Sequence, residues 1–118
     1  MVTTVALPGA MKVIAAIGDD EYLQKIANNI ASFEDVSMIA SSKYTTDIME
    51  LCERLSPDVL ISDLSLDHGS MNAIIRKLCR NASNKVKIIT TASSKEGEAY
   101  MPQAISEGAQ LFMPVSYT

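Results

Sequence analysis

The alternation of short β-rich runs with helical patterns is the feature of this sequence that most restricts its fold. Apolar residues recur at helical spacing in 20–32, 45–55 and 70–81, and runs too short for helices lie between them. A short fourth helix is predicted with Pro102 in its first turn and Gly108 at its end. Such alternation is typical of a parallel sheet covered by helices on both faces. The predicted strands are 12–17, 36–40, 59–62, 86–90 and 109–113.

The run Val59–Ser62 is almost wholly apolar, as expected for a central strand buried on both faces. Right-handed crossovers leave few ways to connect five such strands. We therefore expect an α/β fold, a doubly wound five-stranded parallel sheet of order 2-1-3-4-5, flavodoxin-like, with the fifth helix missing or truncated. An uncovered apolar face favours association with a neighbouring chain or cover by downstream sequence, and in either case we expect a dimer or higher assembly.

The length and charge of the chain limit its organisation and partners. At 118 residues, it is expected to form one domain over 11–118, preceded by a flexible leader over 1–10 and belonging to a larger protein. The net charge of -4 and the lack of a basic cluster argue against direct nucleic-acid binding. The sequence predicts no membrane insertion and a cytoplasmic location, with Cys52 and Cys79 as core thiols.

Polar side chains collect after the predicted strands, where open α/β sheets place their chemistry. Asp19 and Asp20 follow the first strand, Asp63 follows the third, and Thr91 lies at the end of the fourth. Two carboxylates about 4 Å apart repel by ~4 kcal/mol at an effective dielectric of 20, so convergence of all three requires raised pKa values or a cation. Oxygen ligands favour Mg2+ or Mn2+. Alternatively, Asp19 serves only as a helix N-cap.

Four segments together resemble the receiver domains of bacterial two-component response regulators. They are Gly18-Asp19-Asp20-Glu21, the stretch from Pro57 to Leu64, Thr91-Ala92 and Ser106-Glu107-Gly108-Ala109. The resemblance covers most of the chain and implies a signalling module rather than an enzyme. Its partners would be a histidine kinase or small phosphodonor, a second copy of the chain and a downstream effector domain.

The resemblance also assigns roles to individual residues. Asp63 would be the phosphoacceptor, and the Thr91 hydroxyl would contact the phosphoryl group. Asp19, Asp20, Asp63 and the Ser65 backbone carbonyl would hold the metal ion. Thr91 and Phe112 would form the conformational switch, although a plain buried core residue is the favoured interpretation of Phe112.

One departure from the family pattern is the missing lysine near the end of the fifth strand. The last lysine in the chain is Lys95, and the family position falls on Met113 or Val115. Without that ammonium group, the added negative charge of a phosphorylated Asp63 lacks its usual counterion. The chain is therefore similar to atypical receivers or pseudo-receivers.

Three functions from different classes remain open. The first is a phosphorylated receiver that signals through protein association. The second is a phosphorylation-independent module for dimerisation or localisation of a downstream domain such as an ATPase. The third is a flavin- or cobalamin-binding carrier. It is disfavoured because Asp19 and Asp20 would repel a flavin phosphate, and because Asp67-His68-Gly69 lacks the longer spacing of a cobalamin-binding motif. A metal-dependent phosphatase is disfavoured because the spacing from Asp63 to Asp67 does not suit a catalytic aspartate pair.

Overall fold

The secondary structure follows the predicted alternation of strands and helices. A computed structural model describes residues 2–3, 10–66, 70–80, 86–92, 94–109 and 111–114, of which 2–3 and 111–114 are described by their backbone. The strands are β1 Val2–Thr3, β2 Met11–Ala16, β3 Val36–Ser42, β4 Val59–Asp63, β5 Lys87–Ala92 and β6 Leu111–Pro114. The helices are α1 Asp20–Ala31, α2 Thr45–Leu55, α3 Met71–Arg80, α4 Lys95–Glu98 and α5 Met101–Glu107.

The sheet has the strand order β1-β3-β2-β4-β5-β6. Its five strands from β2 to β6 pair in parallel, which confirms the predicted order 2-1-3-4-5. The expected missing or truncated fifth helix would follow β6 and lies outside the described residues.

The extra strand β1 pairs antiparallel with β3 at the edge of the sheet, with Val2 opposite Ser41 and Thr3 opposite Ala40. We did not predict this strand, and for Val2–Thr3 the expectation of a leader outside the fold is wrong. Two residues are too few to show a strand periodicity, and their pairing depends on the open hydrogen-bonding edge of β3. Residues 4–9 of the expected leader lie outside the described part of the chain.

Side chains alternate between two apolar clusters along the buried strands, as the pleat requires. Val13 and Ala15 of β2 face the α1 side, whereas Ile14 and Ala16 belong to the larger cluster under α2, α3 and α5. Helices therefore cover both faces, as a doubly wound fold demands. The α1 side is less tightly covered, because no residue of α1 is fully buried.

The region after β5 differs from the single helix that was predicted there. It holds two short helices, of which α4 was missed because Lys-Glu-Gly-Glu carries no apolar period. The next helix, α5, has Pro102 in its first turn and ends at Gly108, whose φ of 124° suits glycine. Both signals at the ends of α5 were therefore correctly interpreted.

The two cysteines differ in environment. Cys52 is buried in the larger cluster, and burial, followed by the charge of Glu53, raises its pKa to about 11. Cys79 is exposed, so its prediction as a core thiol is wrong. The buried stripe of α3 ends with Leu78, and Cys79 lies beside it over Gly108, which has no side chain to cover the thiol.

Within the part of the chain that the structure describes, the helices are too short or too polar to cross a bilayer.

Candidate functional site

The candidate site lies at the carboxyl end of the central strand β4. Asp63 is the last residue of β4 and lies opposite Thr91 of β5, which in turn lies opposite Met113 of β6. Asp63 is 1% exposed and Thr91 is fully buried. The fold therefore places the predicted acceptor and the predicted hydroxyl side by side, from strands that are far apart in sequence.

Backbone groups of the following loop fix the position of Asp63. The Ser65 N–H donates to Asp63 Oδ1 at 2.9 Å, and the Leu64 N–H donates to the Thr91 carbonyl at 2.7 Å. Burying a polar group without a hydrogen bond costs roughly 2–7 kcal/mol, and burying a charged carboxylate without one costs more. The loop thus supplies one of the partners that the burial of Asp63 demands.

Asp19 caps the first helix. Its Oδ1 accepts the Tyr22 N–H at 3.0 Å, and its backbone is extended, with φ -86° and ψ 115°. Asp20 follows as the first residue of α1, and the side chains of both residues are exposed. Asp19 therefore acts as the N-cap of α1, and its predicted metal role is not tested by this contact.

The predicted metal ligands do not come together in this structure. Among the residues described, no group of three or more His, Cys, Asp or Glu side chains could hold a metal ion. One oxygen of Asp19 is engaged in the cap, whereas Asp63 is buried and bonded to its own loop. In this conformation the donor set does not fit a metal ion. The assignment of Asp19, Asp20, Asp63 and the Ser65 carbonyl stays a prediction.

Tyr22 is a residue of the site that sequence reasoning missed. Its phenolic oxygen lies 2.5 Å from Thr91 Oγ1. Burial raises the Tyr22 pKa, the hydrogen bond to Thr91 lowers it, and the negative charge of Asp63 raises it again. The net result is a pKa above the usual tyrosine value of 10.0. The signal available in the sequence was the position of Tyr22 at the start of the α1 stripe that continues with Leu23, Ile26 and Ile30.

A second missed feature links the two loops at this edge. Ser65 Oγ accepts the Ser94 N–H at 3.1 Å and lies 3.0 Å from Ser94 Oγ. The buried Gly97 of α4 packs against the same loop, so closely that a Cβ there would lie 2.7 Å from Ser65 N. The acceptor loop after β4 is therefore braced by the segment that follows β5.

The predicted switch residue Phe112 lies on β6 opposite Thr90, and its side chain is outside the described part of the structure. The position of the missing lysine also falls near this end of β6. Met113 shares a row with Thr91 and Asp63, whereas the alternative position, Val115, lies outside the described residues. If Met113 is the family's lysine position, the strand register puts an apolar residue in the same row as Thr91 and Asp63, which we call the acceptor row.

Comparison with known proteins places this geometry in a structural context. No family model matches the sequence. The response regulator domain of Thermotoga maritima CheB matches with 20% identity and a TM-score of 0.76, covering 92% of this chain and 84% of that chain. The chain has the receiver-domain fold.

Two further solved structures are similar to this receiver fold. A LuxR-family DNA-binding response regulator from Staphylococcus aureus matches with 19% identity and a TM-score of 0.76, covering 88% of this chain and 85% of that chain. A signal receiver domain from Bermanella marisrubri matches with 18% identity and a TM-score of 0.71, covering 92% and 88%. The resemblance to receiver domains thus extends from sequence motifs to the whole sheet.

Proposed function

We propose that this chain is a receiver module of two-component signalling in which Asp63 accepts a phosphoryl group. The observation that carries the proposal is the position of Asp63, buried at the carboxyl end of the central strand and directly opposite Thr91. The donor is a histidine kinase or a small phosphodonor in the cytoplasm. The output is a change in association with a second copy or with a downstream effector domain.

The chemistry needs an oriented carboxylate and a nearby hydroxyl. In the transfer, a carboxylate oxygen of Asp63 forms a bond to phosphorus while the bond from phosphorus to the leaving group breaks. The Ser65 N–H, at 2.9 Å from Asp63 Oδ1, fixes the orientation of the carboxylate. The Thr91 hydroxyl, on the neighbouring strand, can donate to an oxygen of the new phosphoryl group.

The proposed cation belongs to this function but requires a rearrangement. A divalent cation such as Mg2+ would neutralise charge on the phosphoryl oxygens. The proposed ligands are Asp19, Asp20, Asp63 and the Ser65 carbonyl, which do not form a metal site in this conformation. We therefore derive no step of the transfer through the metal.

Intact mass spectrometry after incubation with acetyl phosphate, with and without magnesium, tests the proposal. We expect a labile gain of one phosphoryl group that is absent in Asp63→Asn. Asp35→Asn serves as a matched control, because Asp35 lies in the exposed turn before β3. A gain that persists in Asp63→Asn would contradict Asp63 as the acceptor. So would the absence of any gain in both the wild type and the Tyr22 variants described below.

The second candidate is a pseudo-receiver that associates without phosphorylation. Two observations favour it: no lysine follows Lys95, and the described α1 face leaves Leu23, Ile26 and Ile30 only partly buried. Sedimentation velocity over a range of concentrations, without phosphodonor, separates the candidates. The same fraction of dimer in the wild type and in Asp63→Asn supports the pseudo-receiver. A dimer that forms only after phosphorylation supports the first candidate.

A further inference from the structure

The Tyr22 side chain extends from the first turn of α1 to the acceptor row. Its hydroxyl lies 2.5 Å from Thr91 Oγ1, across 69 residues of sequence. Thr91 is directly opposite Asp63 in the sheet. The hydroxyl that would bind a phosphoryl group is therefore already bonded to another side chain of the same protein.

Access to Asp63 is closed in this arrangement. Asp63 is 1% exposed and Thr91 is fully buried, whereas Tyr22 is only partly buried and lies at the surface end of the group. A tetrahedral phosphoryl group is much larger than a proton and needs open space beside the carboxylate. The Thr91 hydroxyl becomes available to that group only when its hydrogen bond to the Tyr22 hydroxyl breaks.

We propose that Tyr22 is a gate. Its side chain must swing away from Thr91 before Asp63 can be phosphorylated. This inference rests on the proposed function and adds regulation of the same site. With acetyl phosphate, the Asp63 oxygen forms the new O–P bond as the P–O bond to the acetyl group breaks. Acetate leaves with the electron pair of that bond, so no further reactant is needed.

Rates of phosphorylation by acetyl phosphate, followed by intact mass, test the gate. Tyr22→Phe keeps the ring but removes the hydrogen bond, and we expect phosphorylation to be about 5-fold faster, equivalent to ~1 kcal/mol. Tyr22→Ala removes the ring as well, and we expect an increase of about 10-fold or more. Tyr44→Phe is the matched control, because Tyr44 is 56% exposed at the start of α2. It should react at the wild-type rate.

The outcomes separate the gate from the proposed function. If the wild type is phosphorylated on Asp63 but the Tyr22 variants react equally fast or more slowly, the gate is overturned and the function stands. If the Tyr22 variants alone are phosphorylated on Asp63, both are supported. If no protein in the set is phosphorylated, the proposed function fails and the gate fails with it. Circular dichroism melts establish that each variant is folded.

Discussion

Gly97 supports the acceptor loop, and replacing it with alanine tests whether that support is as tight as the structure indicates. A Cβ at Gly97 would overlap Ser65 Oγ and would lie 2.7 Å from Ser65 N and 3.0 Å from Ala92 Cβ. The serine hydroxyl can rotate away, but the backbone nitrogen cannot move without shifting the loop. Because Ser65 N–H donates to Asp63 Oδ1, the shift would also disturb the acceptor.

Two opposing effects determine the magnitude of the Gly97→Ala change. Alanine is favoured over glycine within a helix by about 0.8–1.0 kcal/mol. Overpacking in a tight site costs about 1–3 kcal/mol. The overlap with a backbone atom places the cost towards the upper end of that range. We therefore expect a net loss of about 1–2 kcal/mol in the free energy of unfolding, despite the better helix former.

Urea denaturation monitored by circular dichroism measures this change, and Ser65→Ala provides the second arm of a double-mutant cycle. Ser65→Ala removes the overlapping hydroxyl and its contacts with Ser94. The loss of unfolding free energy in the double variant should be about 1 kcal/mol smaller than the sum of the losses in the two single variants, since contacting residues couple. A Gly97→Ala protein as stable as the wild type or more stable would refute the close packing of α4 on the acceptor loop.

Three further changes have defined outcomes. Asp19→Ala should lower the free energy of unfolding by about 1 kcal/mol through loss of the cap, whereas Asp19→Asn, also a good cap, should leave stability nearly unchanged in urea titrations. Gly108→Ala should cost about 2–4 kcal/mol, because φ is 124° and a Cβ would lie 2.8 Å from Cys79 Cβ; a stable variant would refute this packing. The Cys52 pKa is raised from 9.0 to about 11, so its contribution to stability is full below pH 9.0 and is lost as pH rises towards 11. Cys52→Ala should therefore show a smaller fall in unfolding free energy over that pH range than the wild type.

The sequence predicted the parallel sheet and its strand order because each buried strand and each covering helix has its own local periodicity. The run Val59–Ser62 marked the central strand, and Gly108 marked the end of α5. The short elements β1 and α4 were missed. They are only 2 and 4 residues long, too short for a period, and they depend on contacts with β3 and with Ser65.

Sequence and structure contributed differently to the candidate site. The sequence identified Asp63 and Thr91, because both stand at the ends of recognisable strands, and it offered the cap as one role for Asp19. It did not identify Tyr22, since a tyrosine in the first turn of an amphipathic helix has no local mark of function. Whether its hydroxyl reaches Thr91 depends on how α1 packs on the sheet.

The sequence alone determined the longer strands and helices, because hydrophobic periodicity and the residues at helix ends act over a few neighbouring positions. Only the tertiary structure decided that Asp63 is buried beside Thr91, that the Tyr22 hydroxyl reaches Thr91, and that Asp19 caps its own helix. Distances between groups from separate elements depend on packing and strand register. A shift of a single residue there would change every contact, although the local pattern would remain the same.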